Sequence, residues 1–339
     1  MTTLATNNST LADWSKRQDP DGKIAKIGEL LNQSNEILED AVFVEGNLPT
    51  GHRFTLRTGL PTVYYRLLGQ GVPTSKSTTT QVDEACGILE ARSYIDVELA
   101  KLNGNSAAFR LSEDSAFLEA MNQTFVSNLL NGNPALDPRQ ILGLMTRYSS
   151  LSAGNGQNIL DGGGSGTDNT SVWLIGWGDD TIACPFPKGS TAGLMHQDLG
   201  EESVPDSNGN YYQALRTLYQ WKNGLMVKDW RYAVRIGNID VSDLVGQSGT
   251  QAATAATALI NLMSRAIDRI PFPGKCRLAF YANRTVYSML RIAALNKSQN
   301  ALSIEAALSQ FGTPYALTKF QGIPLRKVDQ IGTAETRVT

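Results

Sequence analysis

GHRFTLRTGLPTVYYRLLGQGVPTSKSTTTQ, residues 51–81, decides how this chain folds. Gly51, Gly59, Pro61, Gly69, Gly71 and Pro73 cut the stretch into short runs, and His52–Arg57 and Thr62–Leu68 have the composition of strands. Its later part, from Val72 to Gln81, is polar, with Thr74, Ser75, Ser77, Thr78, Thr79 and Thr80. The pattern predicts a long two-stranded projection, which cannot bury a core of its own. Such a projection needs a partner surface. Residues 60–82, together with residues 1–20, are therefore expected to be disordered in an isolated monomer and ordered in an assembly.

Upstream, residues 1–10 are rich in Thr, Asn and Ser, and the chain turns helical from Leu11. Ile24, Ile27, Leu30, Leu31, Ile37 and Leu38 keep a rough 3.6-residue period, so the first forty residues read as an arm with one or two amphipathic helices. Downstream, Ser112 is expected to open a long helix, with Glu113 and Asp114 in its first turn, where the helix dipole favours acids. Phe117, Met121, Phe125 and Leu129 form its apolar stripe, with Leu118 beside them, and Asn131-Gly132-Asn133-Pro134 ends it. Then come a glycine-rich loop over residues 151–170 and strands at Ser171–Trp177, Tyr212–Trp221 and Leu225–Ile236, the last alternating Trp230, Tyr232, Val234 and Ile236. A helix over Gln251–Ile270, a strand at Cys276–Tyr281, a helix capped by Asn283 and running to Leu295, and a strand at Ile323–Val328 complete the reading. The order of elements defines an α+β protein without internal repeats.

Composition excludes several classes. With 41% hydrophobic and 18% charged residues in 339, the chain is a globular protein with a real core. A formal charge of −2 gives no basic face of the kind that grips nucleic acid by counterion release. Cys86, Cys184 and Cys276 share no metal-ligand spacing, and their odd number predicts free thiols in a reducing compartment. The apolar stretch from Ala252 to Ile270 is broken by Thr, Asn, Ser, Arg and Asp, and reads as a buried helix rather than a membrane span.

No catalytic signature survives inspection. Residues 69–78 resemble a phosphate-binding loop, but Ser75 stands where the pattern needs Gly before Lys76, and Pro73 removes an amide donor. Ser165 lacks the full pair of glycines of a nucleophile elbow, since Thr167 stands two residues after it, and the loop around it is read as a flexible connection. A hydrolase would have to use His52 or His196, the latter with Asp198 two residues on. Asp179-Asp180, Glu201-Glu202 and Glu113-Asp114 come without metal-ligand spacing and read as solvated charge. Trp173, Trp177, Trp221 and Trp230 read as core and interface anchors rather than a stacking platform. Neither a metal nor another cofactor is expected.

Five segments carry a resemblance: DPDGKIAKIGELLNQSNEIL (19–38), EGNLPTGHRFTLRTGLPTV (45–63), FRLSEDSAFLEAMNQ (109–123), NTSVWLIGWG (169–178) and KDWRYAVRIGNIDVSDL (228–244). In wording and order they resemble tailed-bacteriophage major capsid proteins with the HK97-like capsid fold. That resemblance implies an N-terminal arm (1–44), an extended β-hairpin loop (45–85), a peripheral domain (86–159 and 205–244) with a spine helix at 112–131, and a mainly axial domain (160–204 and 245–339). It implies hexamers and pentamers closing into an icosahedral virion shell around double-stranded DNA, assembled in the host cytoplasm. A separate scaffolding protein, a portal and decoration proteins are the expected partners. Arg53, Arg57, Tyr64, Arg66 and Lys76 are the subunit-contact candidates. Nothing in the sequence supplies the acid and asparagine that a covalent cross-link from Lys76 would need. The alternatives are an encapsulin-like compartment, a phage tail-tube or ring protein and, from another class, a hydrolase using His196 and Asp198.

Overall fold

A computed structural model of the chain describes residue 33 and residues 35–101, 106–206, 208–246, 249–295, 302–308 and 314–339. The arm helices expected before residue 33, with Ile24, Ile27, Leu30 and Leu31, lie outside the described residues. In chain order the strands are β1 (Phe43–Glu45), β2 (Gly51–Gly59), β3 (Thr78–Asp96), β4 (Ile159–Asp161), β5 (Asn169–Trp177), β6 (Ile182–Phe186) and β7 (Leu194–Pro205). They continue as β8 (Tyr211–Gly224), β9 (Met226–Val227), β10 (Ala233–Asp240), β11 (Arg277–Ala282), β12 (Leu302–Leu308), β13 (Pro314–Phe320) and β14 (Ile323–Lys327). The helices are α1 (Ile37–Asp40), α2 (Val97–Lys101), α3 (Ser106–Asn131), α4 (Leu144–Arg147), α5 (Val241–Val245), α6 (Gly249–Asp268) and α7 (Arg284–Leu295).

Two sheets organise these elements. In the larger, β5 runs antiparallel to both β10 and β11, and all nine of its residues are buried. Its sequence, NTSVWLIGW, lacks the polar alternation of a half-exposed strand, as a strand covered on both faces should. Val286 and Leu290 of α7 and Leu259, Ile260 and Met263 of α6 belong to the same core cluster. Asn283 caps α7 as its sequence predicts, its side-chain oxygen accepting from Thr285 N at 2.9 Å.

The smaller sheet has the order β2-β3-β8-β7. β3 is its frame. Residues 78–85 pair with β2, and residues 86–96 pair with β8. A single strand of 19 residues thus carries the projecting hairpin out from the body, over roughly 60 Å. The long helix α3 packs on the inner face of this sheet through Phe125 against Trp221 (ring centroids 4.5 Å apart) and Phe117 stacked on Tyr219 at 5.2 Å.

Several expectations are corrected. The long helix starts at Ser106, not Ser112; Ser112 Oγ donates back to Phe109 O inside it, so Ser112 is no cap. Glu113 and Asp114 therefore sit beyond the first turn, and Asp114 instead accepts from the Tyr219 hydroxyl. Leu118 proves exposed, while Met121, Phe125 and Leu129 are buried. The run Thr62–Leu68 forms no strand, because the ladder between β2 and β3 ends where Gly59 meets Thr78. Opposite that run the chain offers Gly69, Gly71 and Pro73, which weaken or withhold ladder hydrogen bonds. Leu225–Ile236 is not one strand. Asp229 accepts from Arg231 N and closes a single 3-10 turn over Trp230–Tyr232, a local bond that competes with the ladder. Finally, the glycine-rich loop is strapped down rather than free, Gly162 N and Gly164 N donating to Gly237 O and Asn238 O.

Candidate assembly surface

The root of the hairpin is fixed rigidly. Arg147 from α4 donates to both carboxylate oxygens of Glu84 on β3, at 2.8 and 2.6 Å, and also reaches Leu142 O and Leu225 O. Both partners are largely buried, their side chains 16% and 8% exposed, so this is a desolvated, geometrically matched pair. Phe54, Ala183 and Met226 form a small apolar cluster beneath β2, with Val44, Leu56 and Val82 packed on it. Cys86 Sγ donates to Pro185 O at 3.3 Å; burial pushes its thiol up to about 11, and that of Cys184 up to about 12.

Arg53 belongs to this root. It lies directly opposite Asp83 and donates to both of its carboxylate oxygens, at 2.5 and 2.6 Å, while Asn47 brackets its backbone. The guanidinium holds the Asp83 carboxyl below its usual value. Arg53 is therefore satisfied within its own chain.

The tip, residues 60–77, is the opposite. Leu60, Val63, Tyr65, Leu67 and Leu68 are each at least 69% exposed, and Tyr64 is 53% exposed. Its own bonds are few: Ser75 Oγ donates to Thr62 O at 2.7 Å, and Gln70 N donates to Leu67 O at 3.2 Å. Burying one such apolar side chain is worth about 1.5–3 kcal/mol, so a cluster of them strongly favours a covering partner. The structure thus brings Tyr64, Arg66 and Lys76 together on the exposed tip and places Arg57 at its base. It separates Arg53 from them. The flanking apolar residues Leu60, Val63, Tyr65, Leu67 and Leu68 escaped the sequence reading, which had assigned most of them to a strand.

His196 does not form a catalytic pair with Asp198. The carboxylate within ion-pair reach of its ring is Asp114, at 3.7 Å, whereas Asp198 is held by Arg110 at 2.9 Å. This cluster fastens β7 and β8 to α3. Trp173 and Trp177 are fully buried core residues. Among the described residues, no three His, Cys, Asp or Glu side chains gather where a metal could bind, and no helix is long and apolar enough to cross a membrane.

A rigid α+β body, a long helix on a sheet and a projecting hairpin with an apolar tip define a shell-forming subunit of the HK97-like kind. Residues 19–339 match the family of major capsid proteins GP7, and the chain belongs to that family. It is similar to a chain in the near-atomic-resolution structure of bacteriophage Epsilon15, at 29% identity and a TM-score of 0.75, over 100% of this chain and 99% of that one. It shares its fold with the bacteriophage JBD30 capsid, at 9% identity and a TM-score of 0.50, over 90% and 95% of the two chains. An encapsulin complex from Synechococcus elongatus is matched at 8% identity and a TM-score of 0.43, over 68% of this chain and 95% of that one, too low to carry an argument. No curated protein matches the chain. The protein is a capsid shell protein of a tailed bacteriophage, and the encapsulin-like and tail-tube alternatives recede.

Proposed function

We propose that the chain assembles as hexamers and pentamers into an icosahedral shell that encloses double-stranded DNA. On this reading the shell is built in the host cytoplasm with a separate scaffolding protein and a portal, decoration proteins are added to it, and the subunit has no catalytic role. The observation that carries it is the exposed apolar tip on a fixed root: an interface with no cover in its own chain. A charge of −2 suits a container for DNA better than a binder of it.

The proposed division keeps an arm (1–44), the extended loop (45–85), a peripheral part built around α3 and the smaller sheet, and an axial part built around the larger sheet. β7, first assigned to the axial part, is proposed for the peripheral part because it pairs with β8, and β10, first assigned to the peripheral part, is proposed for the axial part because it pairs with β5. Tyr64, Arg66, Lys76 and Arg57 are the proposed subunit contacts; Arg53 is assigned instead to holding the hairpin's root. Co-expression with the neighbouring scaffold gene, followed by electron microscopy and nuclease-protection of the contents, tests the reading. Closed shells with five- and six-fold units are expected from co-expression, and particles from infected cells should hold nuclease-protected double-stranded DNA. Tubes, or shells holding protein cargo, would overturn it.

A further inference from the structure

The glycine-rich loop and the turn into α5 gather acids where the chain has no cation. Residues 148–187 and 236–264 contain neither Lys nor Arg. Pairing of β5 with β10 sets these two stretches side by side, with Asn169 opposite Asp240. Asp168 and Asp240 are half-buried there, and their carboxylates lie within hydrogen-bonding reach of each other. Each has one oxygen committed to α5. Asp168 Oδ2 accepts from Ser242 N at 3.0 Å, and Asp240 Oδ1 accepts from Ser242 Oγ at 2.7 Å and from Asp243 N at 3.0 Å. The other two oxygens, Asp168 Oδ1 and Asp240 Oδ2, turn onto Gly166, 2.7 and 3.7 Å from where a Cβ on it would stand. Capping α5 therefore leaves two like charges facing each other, which is unfavourable without a cation between them. A second observation is independent of the acids. Asn169 is 1% exposed, and its Oδ1 has no hydrogen-bond partner. Native proteins rarely bury such an oxygen without a donor, an ordered water or an ion. Its direction is fixed. Asn169 Nδ2 donates to Gly166 O at 2.7 Å, so the amide lies over the glycine on which the two carboxylates converge. Oδ1 itself fills the space beside Gly164, where any Cβ would collide with it.

We infer that these oxygens form a calcium site, held by Asp168, Asp240 and Asn169 and completed by carbonyls of the glycine-rich loop and by water. The donor set chooses the ion. It is all oxygen, without the imidazole or thiolate of a zinc site. Two carboxylates, an amide oxygen and backbone carbonyls are the mixture that calcium accepts in an irregular shell, whereas magnesium demands a near-octahedral one and keeps its waters. Such a set needs no third acid, in keeping with the absence of a three-acid cluster among the described residues. The bare faces of Gly164 and Gly166 let the side-chain oxygens come this close to the loop, which explains glycine at both positions. The ion ties together three pieces: the glycine-rich loop, the head of β5, and the turn from β10 into α5. It needs neither a second copy nor a shell, so the site stands or falls apart from the assembly reading above.

The test titrates calcium chloride into the chelator-treated full chain and follows binding heat, melting temperature and amide exchange. One ion per chain is expected, with a Kd of about 10⁻⁴ to 10⁻³ M, the weak end of protein calcium sites, as suits two carboxylates. Saturating calcium should raise the melting temperature and slow exchange at Gly163–Gly166 and Asn169 about tenfold or more, and magnesium at the same concentration should do neither. Asp168→Asn with Asp240→Asn keeps the acceptors that cap α5, because asparagine caps as well as aspartate. This variant should melt no lower than the wild type in chelator and bind calcium about tenfold or more weakly. Asp179→Asn with Asp180→Asn, an acid pair outside the site, should leave binding unchanged. Absence of binding by the wild-type chain up to about 10 mM calcium, or equal protection by magnesium, would overturn the inference. A double variant that binds as the wild type does would overturn it too, leaving the acids as helix caps and Asn169 Oδ1 bonded to water. Exchange in the wild type needs no variant, so it decides the matter even where the double variant fails to fold.

Discussion

Arg147 and Glu84 show how single residues set the geometry of the whole surface. The pair joins β3 to α4 where the hairpin leaves the body, so its loss should be felt as stability. Arg147→Met leaves the Glu84 carboxylate buried without its partner and should cost about 3–5 kcal/mol. Urea unfolding would read this directly, and a loss below about 1 kcal/mol would mean that water reaches Glu84. Arg110 and Asp198 do a similar job for β7. The hydrogen bond from Arg110, then that from Gly200 N, hold the Asp198 carboxyl below its ordinary value of 3.8. The folded value is the lower one, so this stabilisation is complete above about pH 4 and is lost as pH falls through the folded value. Protection factors of the β7 amides, corrected for the intrinsic exchange rate at each pH, should therefore fall in acid below about pH 4, and Arg110→Met should remove that dependence. An unchanged acid response in Arg110→Met would contradict the assignment. The thiols behave differently again. Buried Cys184 and half-buried Cys86, whose thiols burial pushes up to about 12 and about 11, should react with thiol reagents at about pH 8 more slowly than half-buried Cys276 until denaturant is added. Rapid reaction of all three would show that the hairpin's root opens.

At the scale of elements, the helix α3 and the hairpin play opposite parts. Phe125 on α3 is buried against Trp221, and Phe125→Ala should cost about 3–5 kcal/mol and give insoluble subunits rather than misshapen shells. Deleting residues 62–76 removes no buried residue and should leave the melting temperature within a few degrees while abolishing assembly. A deletion that unfolds the body would mean that the tip packs where the structure shows it exposed. Amides of residues 60–77 should exchange rapidly in monomers and become protected in shells. Much of this was legible in the sequence. The stripe Met121, Phe125 and Leu129 and the cap at Asn283 rest on local periodicity and local hydrogen bonds, which neighbouring residues determine. What was not legible depended on partners distant in the chain. β7 is missing from the strands the sequence predicts, because an edge strand held on a long neighbour needs no apolar alternation of its own. Thr62–Leu68 reads as a strand because its residue types favour one, and only the ladder's end at Gly59 and Thr78 shows that none forms. The register of Arg53 with Asp83, which pairs Arg53 within its own chain, could not be read before the hairpin was aligned.

At the scale of the whole molecule, the core and the contacts are kept apart. The body is closed by two sheets and their helices, whereas the hairpin buries almost nothing at its tip. That division lets the subunit fold before it assembles, and lets many individually weak contacts add up to a stable shell. Electron microscopy of the full chain, co-expressed with the proposed scaffolding protein, tests this account most directly. The account predicts closed shells in which residues 60–77 lie pressed against a neighbouring subunit. Open tubes, or closed shells in which that segment faces solvent, would contradict it.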